Sequence, residues 1–177
     1  IDGTIEGAER TRDIVAGLKR FSAQDRGEEE AFNLAEVLER SVHWVVKASG
    51  SRIRVSLDVP PQIPVSGSAG QMQQVLVNLV QNAIDSTERL PDARLDIKGE
   101  VRSRSAVLTF RDNGPGFPEE SLDKAFDPFF TTKPVGKGTG LGLSISYGIV
   151  ERHRGQLKAS NHPQGGAVLT LTLPLAG

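Results

Sequence analysis

Residues 78–85 read NLVQNAID, inside the longer run MQQVLVNLVQNAI at 72–84. Met72, Val75, Leu76, Leu79, Val80, Ala83 and Ile84 recur at three- and four-residue spacing, which predicts an amphipathic helix over 69–89. Ser68 and Gln71 form a capping pair at its start. At about 100° per residue, Asn78 and Asp85 fall within about 20° of each other, with Asn82 about 40° from Asn78. The helix therefore carries a polar stripe beside its apolar one. Three polar side chains alone would make a solvated face. Asparagine is a poor helix former, though, because its amide competes for nearby backbone groups. Two neutral amides in one stripe suit a hard cation such as Mg²⁺, which takes oxygen ligands.

Working outward, the segment RIRVSLDV (52–59) alternates through Ile53, Val55, Leu57 and Val59 and stops at Pro60 and Pro61, the pattern of a half-buried strand. Before it, Asn33 and Glu36 cap an apolar series of Val37, Leu38, Val42 and Val45. After the central helix come alternating segments at 94–101 and 106–112, joined by the polar turn RSRS, a predicted hairpin. A long glycine- and proline-bearing loop spans 113–140, a helix runs over 141–153 to a stop at Gly155, and strands at 156–160 and 167–173 flank the turn NHPQGG. The order predicts an α+β fold, a two-layer sandwich of a mixed, mostly antiparallel sheet with helices on one face. One long helix precedes it: residues 1–26 carry Ile5, Ala8, Val15, Leu18 and Phe21 at helical spacing. The charged run DRGEEE after it reads as a linker, placed at 27–32, with the main domain over 33–177.

The chain has 177 residues and a formal net charge of −1, which argues against a general nucleic-acid or membrane-surface binder. It has no cysteine, so disulfides and thiolate metal sites are excluded. His43, His153 and His162 stand at no metal-ligand spacing. His43 is expected to be partly buried on the surface of its helix. No apolar run approaches the roughly 18–20 residues of a membrane-spanning helix. The first residue is Ile1 rather than Met, so a longer parent protein is expected.

Two further motifs carry chemistry. In RDNGPGF (111–117), Gly114 and Gly116 allow close backbone approach to a flat ligand, and Asp112 offers an acceptor for an exocyclic amine such as that of adenine. In GKGTGLGLSI (136–145), glycines at 136, 138, 140 and 142 lead into a helix whose free N–H groups favour an anion. Lys133 and Lys137 flank this loop and are positioned to reach phosphate oxygens.

Together these elements resemble the ATP-binding catalytic domain of bacterial sensor histidine kinases, part of the superfamily shared with DNA gyrase, heat-shock chaperone ATPases and mismatch-repair ATPases. QQVLVNLVQNAIDS resembles the family's N box, DNGPGF its first glycine box, FDPFFTTK (126–133) its F box and GKGTGLGLSI its second glycine box. The likeness covers about residues 33–175, and the F box with its short lid is most similar to the nitrogen-regulator and dicarboxylate-sensor branch. The resemblance implies a Bergerat-type fold and a site for ATP and Mg²⁺. It makes Asn82 the metal ligand, Asn78 its support, Asp112 the adenine acceptor, Gly114 and Gly116 the admitters of the base, and Gly138, Gly140 and Gly142 phosphate binders. It also places Asp85, Phe117, Thr132, Lys133, Lys137, Thr139, Leu141, Leu143 and Thr170 along the nucleotide, with Asn78, Asn82 and Lys133 catalytic. Phe126, Phe129 and Phe130 would pack a mobile lid.

The gyrase-like hydrolases carry a glutamate four residues before the metal asparagine; here that position is Asn78. A hydrolase needs a base to activate water, whereas transfer to a neutral imidazole needs positioning and charge neutralisation. The resemblance thus implies a protein histidine kinase acting in two-component signal transduction. ERTRDIVAGLKRFS (9–22) is similar to the second helix of the family's dimerisation hairpin. The phosphoacceptor helix is expected to be missing from this fragment, which should then bind Mg-ATP without labelling itself. Implied partners are that helix, a response-regulator receiver domain and a second copy in the full-length dimer, with no nucleic acid and no membrane contact by the fragment. The implied location is cytoplasmic, for a parent either free or anchored in the inner membrane. Competing readings are a serine-directed anti-sigma-factor kinase and a nucleotide-binding pseudokinase; a DNA-directed ATPase fits Asn78 least.

Overall fold

The computed structural model describes residues 30–133 and 138–177. The helix expected over 1–26 and the side chain of Lys137 lie outside the described residues.

Asn33 starts the first helix for a local reason. Its Oδ1 accepts from the N–H of Ala35 at 3.1 Å and of Ile63 at 2.9 Å, while its Nδ2 donates to Glu36 at 3.2 Å. The expected Asn33–Glu36 pair is thus present, as a side-chain to side-chain bond. Helix α1 (Leu34–Ser49) ends at Gly50, whose φ of 62° suits glycine. Before it, strand β1 (Glu30–Asn33) pairs antiparallel with β3 (Pro64–Gly67) in a two-stranded ribbon. Three residues expected as linker, Glu30 to Phe32, therefore belong to this ribbon.

The main sheet has β2 (Arg54–Asp58), β4 (Arg94–Arg102), β5 (Ser105–Asp112), β6 (Gln156–Asn161) and β7 (Ala167–Pro174), in the order β2-β4-β5-β7-β6. Only β2 and β4 run parallel, because ribbon strand β3 and helix α2 (Ala69–Thr87) intervene; the other neighbours are antiparallel. The β4–β5 hairpin turns through Ser103, at a φ of 53°.

One face of the sheet is covered. Leu95, Ile97, Ala106, Leu108, Phe110, Leu169 and Leu171 point inward, against α1, α2 and helix α3 (Gly142–Arg152). All seven apolar positions named for α2 are buried, none above 6% exposed. A buried Leu, Val or Met contributes about 1.5–3 kcal/mol. Shifting the buried set of α2 by one position toward the N-terminus would bring in Gln71, Gln74, Asn78 and Asn82, so burial fixes where the polar stripe points. Edge strand β2 is less covered than its alternation suggested, with Leu57 42% exposed. His43 is exposed rather than partly buried, lying off the buried stripe of its helix.

Candidate functional site

The polar stripe of α2 meets the start of α3. Asn78 Nδ2 donates to the Gly142 carbonyl at 3.2 Å and to the Ser146 hydroxyl at 3.1 Å. One turn on, Asn82 is half-buried, and its amide has no hydrogen-bond partner among the described residues. One turn further, Asp85 accepts from Gln81 Nε2 at 2.7 Å and forms an ion pair with Lys133. Both partners of that pair keep 31% of their side-chain surface in solvent. A pair so exposed is worth about 0–1 kcal/mol, so Asp85 holds Lys133 only weakly.

Asp112 ends β5 on the covered face. Its Oδ1 accepts from Gly114 N at 2.8 Å and Ala167 N at 3.2 Å. Burial pushes its carboxyl above the usual carboxylate range, against the lowering effect of the Gly114, Ala167 and Ser86 hydrogen bonds. Both backbone bonds fall on Oδ1, and the Ser86 hydroxyl also bonds the carboxyl. Gly114 is required here, because a Cβ would lie 2.9 Å from Asp112 Oδ1 and 3.0 Å from the Ser86 carbonyl.

The loop after Asp112 is fastened on both sides. Asn113 Oδ1 accepts from Arg94 N at 2.7 Å, and its Nδ2 donates to the Asp92 carbonyl at 3.0 Å. On the other side, Asn161 accepts from Phe117 N at 2.8 Å and donates to the Phe117 carbonyl at 2.7 Å. Asn161 was not singled out by sequence. Its only signal was a place before a turn, where asparagine is common.

The third wall is the start of α3. Leu141 occupies the N-cap position, and no side chain caps the helix. Its first amides are therefore available to an anion. Thr139 Oγ1 accepts from Leu141 N at 3.3 Å, and the Gly140 carbonyl accepts from Phe129 N at 2.9 Å. Gly140 has a φ of 65°, and a Cβ there would strike the Phe129 backbone. Leu141 is buried, Leu143 packs against the core, and Gly138 sits beside Thr131 and Lys133.

Two expectations are corrected. Thr170 shares a sheet face with Val168 and Thr172, whereas Asp112 shares the opposite face with Phe110 and Leu108. Its strand neighbours are Thr109 and Lys158, so side-chain alternation places it away from the site. Of the F-box aromatics, Phe126 packs on Tyr147 with ring centres 5.2 Å apart, but Phe129 is 58% exposed. Its φ of 68° turns it outward. Thr132 and Thr139 are exposed. Asn78, Asn82, Asp85, Lys133, Asp112, Gly114 and the Gly140–Gly142 turn line one connected region along α2.

Residues 67–177 match the family described as histidine kinase-, DNA gyrase B- and HSP90-like ATPase. The chain is 37% identical over 168 residues to the C4-dicarboxylate transport sensor protein DctB of Pseudomonas aeruginosa, covering 93% of this chain and 27% of DctB. It thus spans about a quarter of that relative's length. The solved catalytic domain of histidine kinase ThkA superposes with a TM-score of 0.73 at 34% identity, covering 83% of this chain and 95% of that one. ThkA in complex with response regulator protein TrrA superposes with a TM-score of 0.78 at 30% identity, covering 96% of this chain and 48% of that one.

Proposed function

The chain belongs to the histidine kinase-, DNA gyrase B- and HSP90-like ATPase family, and from that premise we propose that it is the ATP-binding catalytic domain of a sensor histidine kinase. In this reading it transfers the γ-phosphoryl group of ATP to a histidine on a dimerisation helix, for relay to a response-regulator aspartate. The observation that carries it is the Asn78 bridge, which brings the N box and the second glycine box into contact across 64 residues of sequence.

Each wall then has a role. Asp112 accepts the adenine amine, and the fastened Asn113–Phe117 loop forms the base pocket. The uncapped start of α3 holds phosphate oxygens through backbone amides. Asn82 fits a magnesium ligand, being a half-buried neutral oxygen donor without a protein partner among the described residues. Asn78 supports it from one turn away. Bound Mg²⁺ would supply charge neutralisation on the phosphates. Lys133 leaves Asp85 for the nucleotide, and Asp85 with Gln81 orders the floor. Asn78, already donating to Gly142 and Ser146, is no base for water, which favours transfer over hydrolysis. The domain works beside a phosphoacceptor helix within a dimer, on the cytoplasmic side. Among the described residues, no helix is long and apolar enough to cross a membrane.

The test is transfer from γ-labelled ATP in the longer polypeptide that carries the acceptor. Acid-labile, base-stable label that disappears in Asn82→Ala supports the reading. Binding of Mg-ATP with no label under activating conditions refutes kinase action and leaves a nucleotide-binding module.

A further inference from the structure

We propose that His153 is a positioning residue for the nucleotide site, setting the register between α2 and α3; the inference rests on the Mg-ATP reading above. His153 closes α3 at its C-terminal end. Its Nε2 accepts from the backbone N–H of Ser68 at 3.0 Å, and its Nδ1 lies 2.8 Å from the Ile149 carbonyl. A neutral imidazole has one donor and one acceptor, so the proton resides on Nδ1 and both nitrogens are used. Ser68 is the N-cap of α2. Gly67 abuts the Cδ2–Nε2 edge of the ring: its φ is 144°, and a Cβ there would collide with the imidazole.

Side-chain hydrogen bonds tie α2 and its cap to α3 near both ends of α3. One is Asn78 on Gly142 and Ser146; the other is His153 on Ser68. The first lies inside the site, where the phosphates and metal draw on the same asparagine. The His153 tie lies at the far ends of both helices and touches no ligand. It therefore still holds the helices in register when Asn78 is engaged. Ser68 precedes Asn82 by 14 residues, about 21 Å along the helix at about 1.5 Å per residue. A small tilt at Ser68 is carried along that lever. Sites of this kind need their groups held within about 0.5 Å.

The experiment compares affinities for Mg-ATP and for adenosine by titration calorimetry in wild type, His153→Ala, His153→Phe and His153→Gln. Adenosine reads the Asp112 pocket, while Mg-ATP also reads the α2–α3 register. A hydrogen bond worth about 0.5–1.5 kcal/mol corresponds to roughly a two- to tenfold effect. His153→Ala and His153→Phe should weaken Mg-ATP by that factor and leave adenosine within about twofold; His153→Gln, which keeps an acceptor for Ser68, should recover Mg-ATP. His153→Phe fills the space against Gly67, so it decides the matter if the alanine variant unfolds. Parallel losses of both affinities, or no loss in His153→Phe, overturn the proposal and leave His153 a structural cap. A wild-type chain that binds adenosine but gains nothing from Mg-phosphates overturns the functional reading itself, and the inference with it.

Discussion

Replacing Asp112 by asparagine separates binding from stability. The change keeps Oδ1 as acceptor for Gly114 and Ala167. It replaces the second oxygen by an NH₂ group, which faces the adenine amine donor to donor. A hydrogen bond to a charged group is worth about 1.5–3 kcal/mol, so Mg-ATP affinity should fall about 10- to 150-fold. The folded protein should not suffer in parallel. Burial raises the Asp112 pKa above its unfolded value, so above the folded pKa the native state carries a buried charge at a cost. That cost fades as pH drops through the folded pKa toward the unfolded one, where stability gains. The neutral amide removes it, so Asp112→Asn should melt at or above the wild-type temperature at neutral pH, with the difference shrinking under acid. Titration calorimetry and thermal melts from pH 4 to 8 read both effects. Binding within threefold of wild type would refute the adenine role. A large drop in melting temperature would refute the account of burial.

Three other outcomes are expected. Asn82→Ala should bind adenosine normally but lose the gain in ATP affinity on adding magnesium, measured by metal titration against a fluorescent nucleotide. Asn161→Ala frees both the N–H and carbonyl of Phe117, costing about 1–3 kcal/mol; at about 2–4 °C per kcal/mol for a domain of this size, calorimetry should show a clear drop, together with weaker adenosine binding. Thr170→Val should leave Mg-ATP affinity within about twofold, because the side chain faces away from Asp112; a larger loss would restore it to the site.

The legible parts of this protein were those with short periods. The three-and-four spacing of α2, the alternation of β4, β5 and β7, and the caps at Asn33 and Ser68 are written within a few residues and appear in the fold. The ribbon of β1 and β3 was missed because four-residue strands are too short for alternation to register, and proline opens one of them. Thr170 was misplaced for a related reason: motif likeness marks a strand, while pleat parity decides the face.

The sequence by itself determined the longer elements, the amide stripe and the two glycine boxes, because local sterics, hydrogen bonding and apolar spacing act over one or two turns. Only the tertiary structure decided the partners. Asn161 on Phe117, Lys133 on Asp85, Asn78 on Gly142 and His153 on Ser68 join residues 44 to 85 positions apart. No local rule encodes such pairings. They arise when burying one apolar face of the sheet and its helices leaves these polar groups opposite one another, within hydrogen-bond reach.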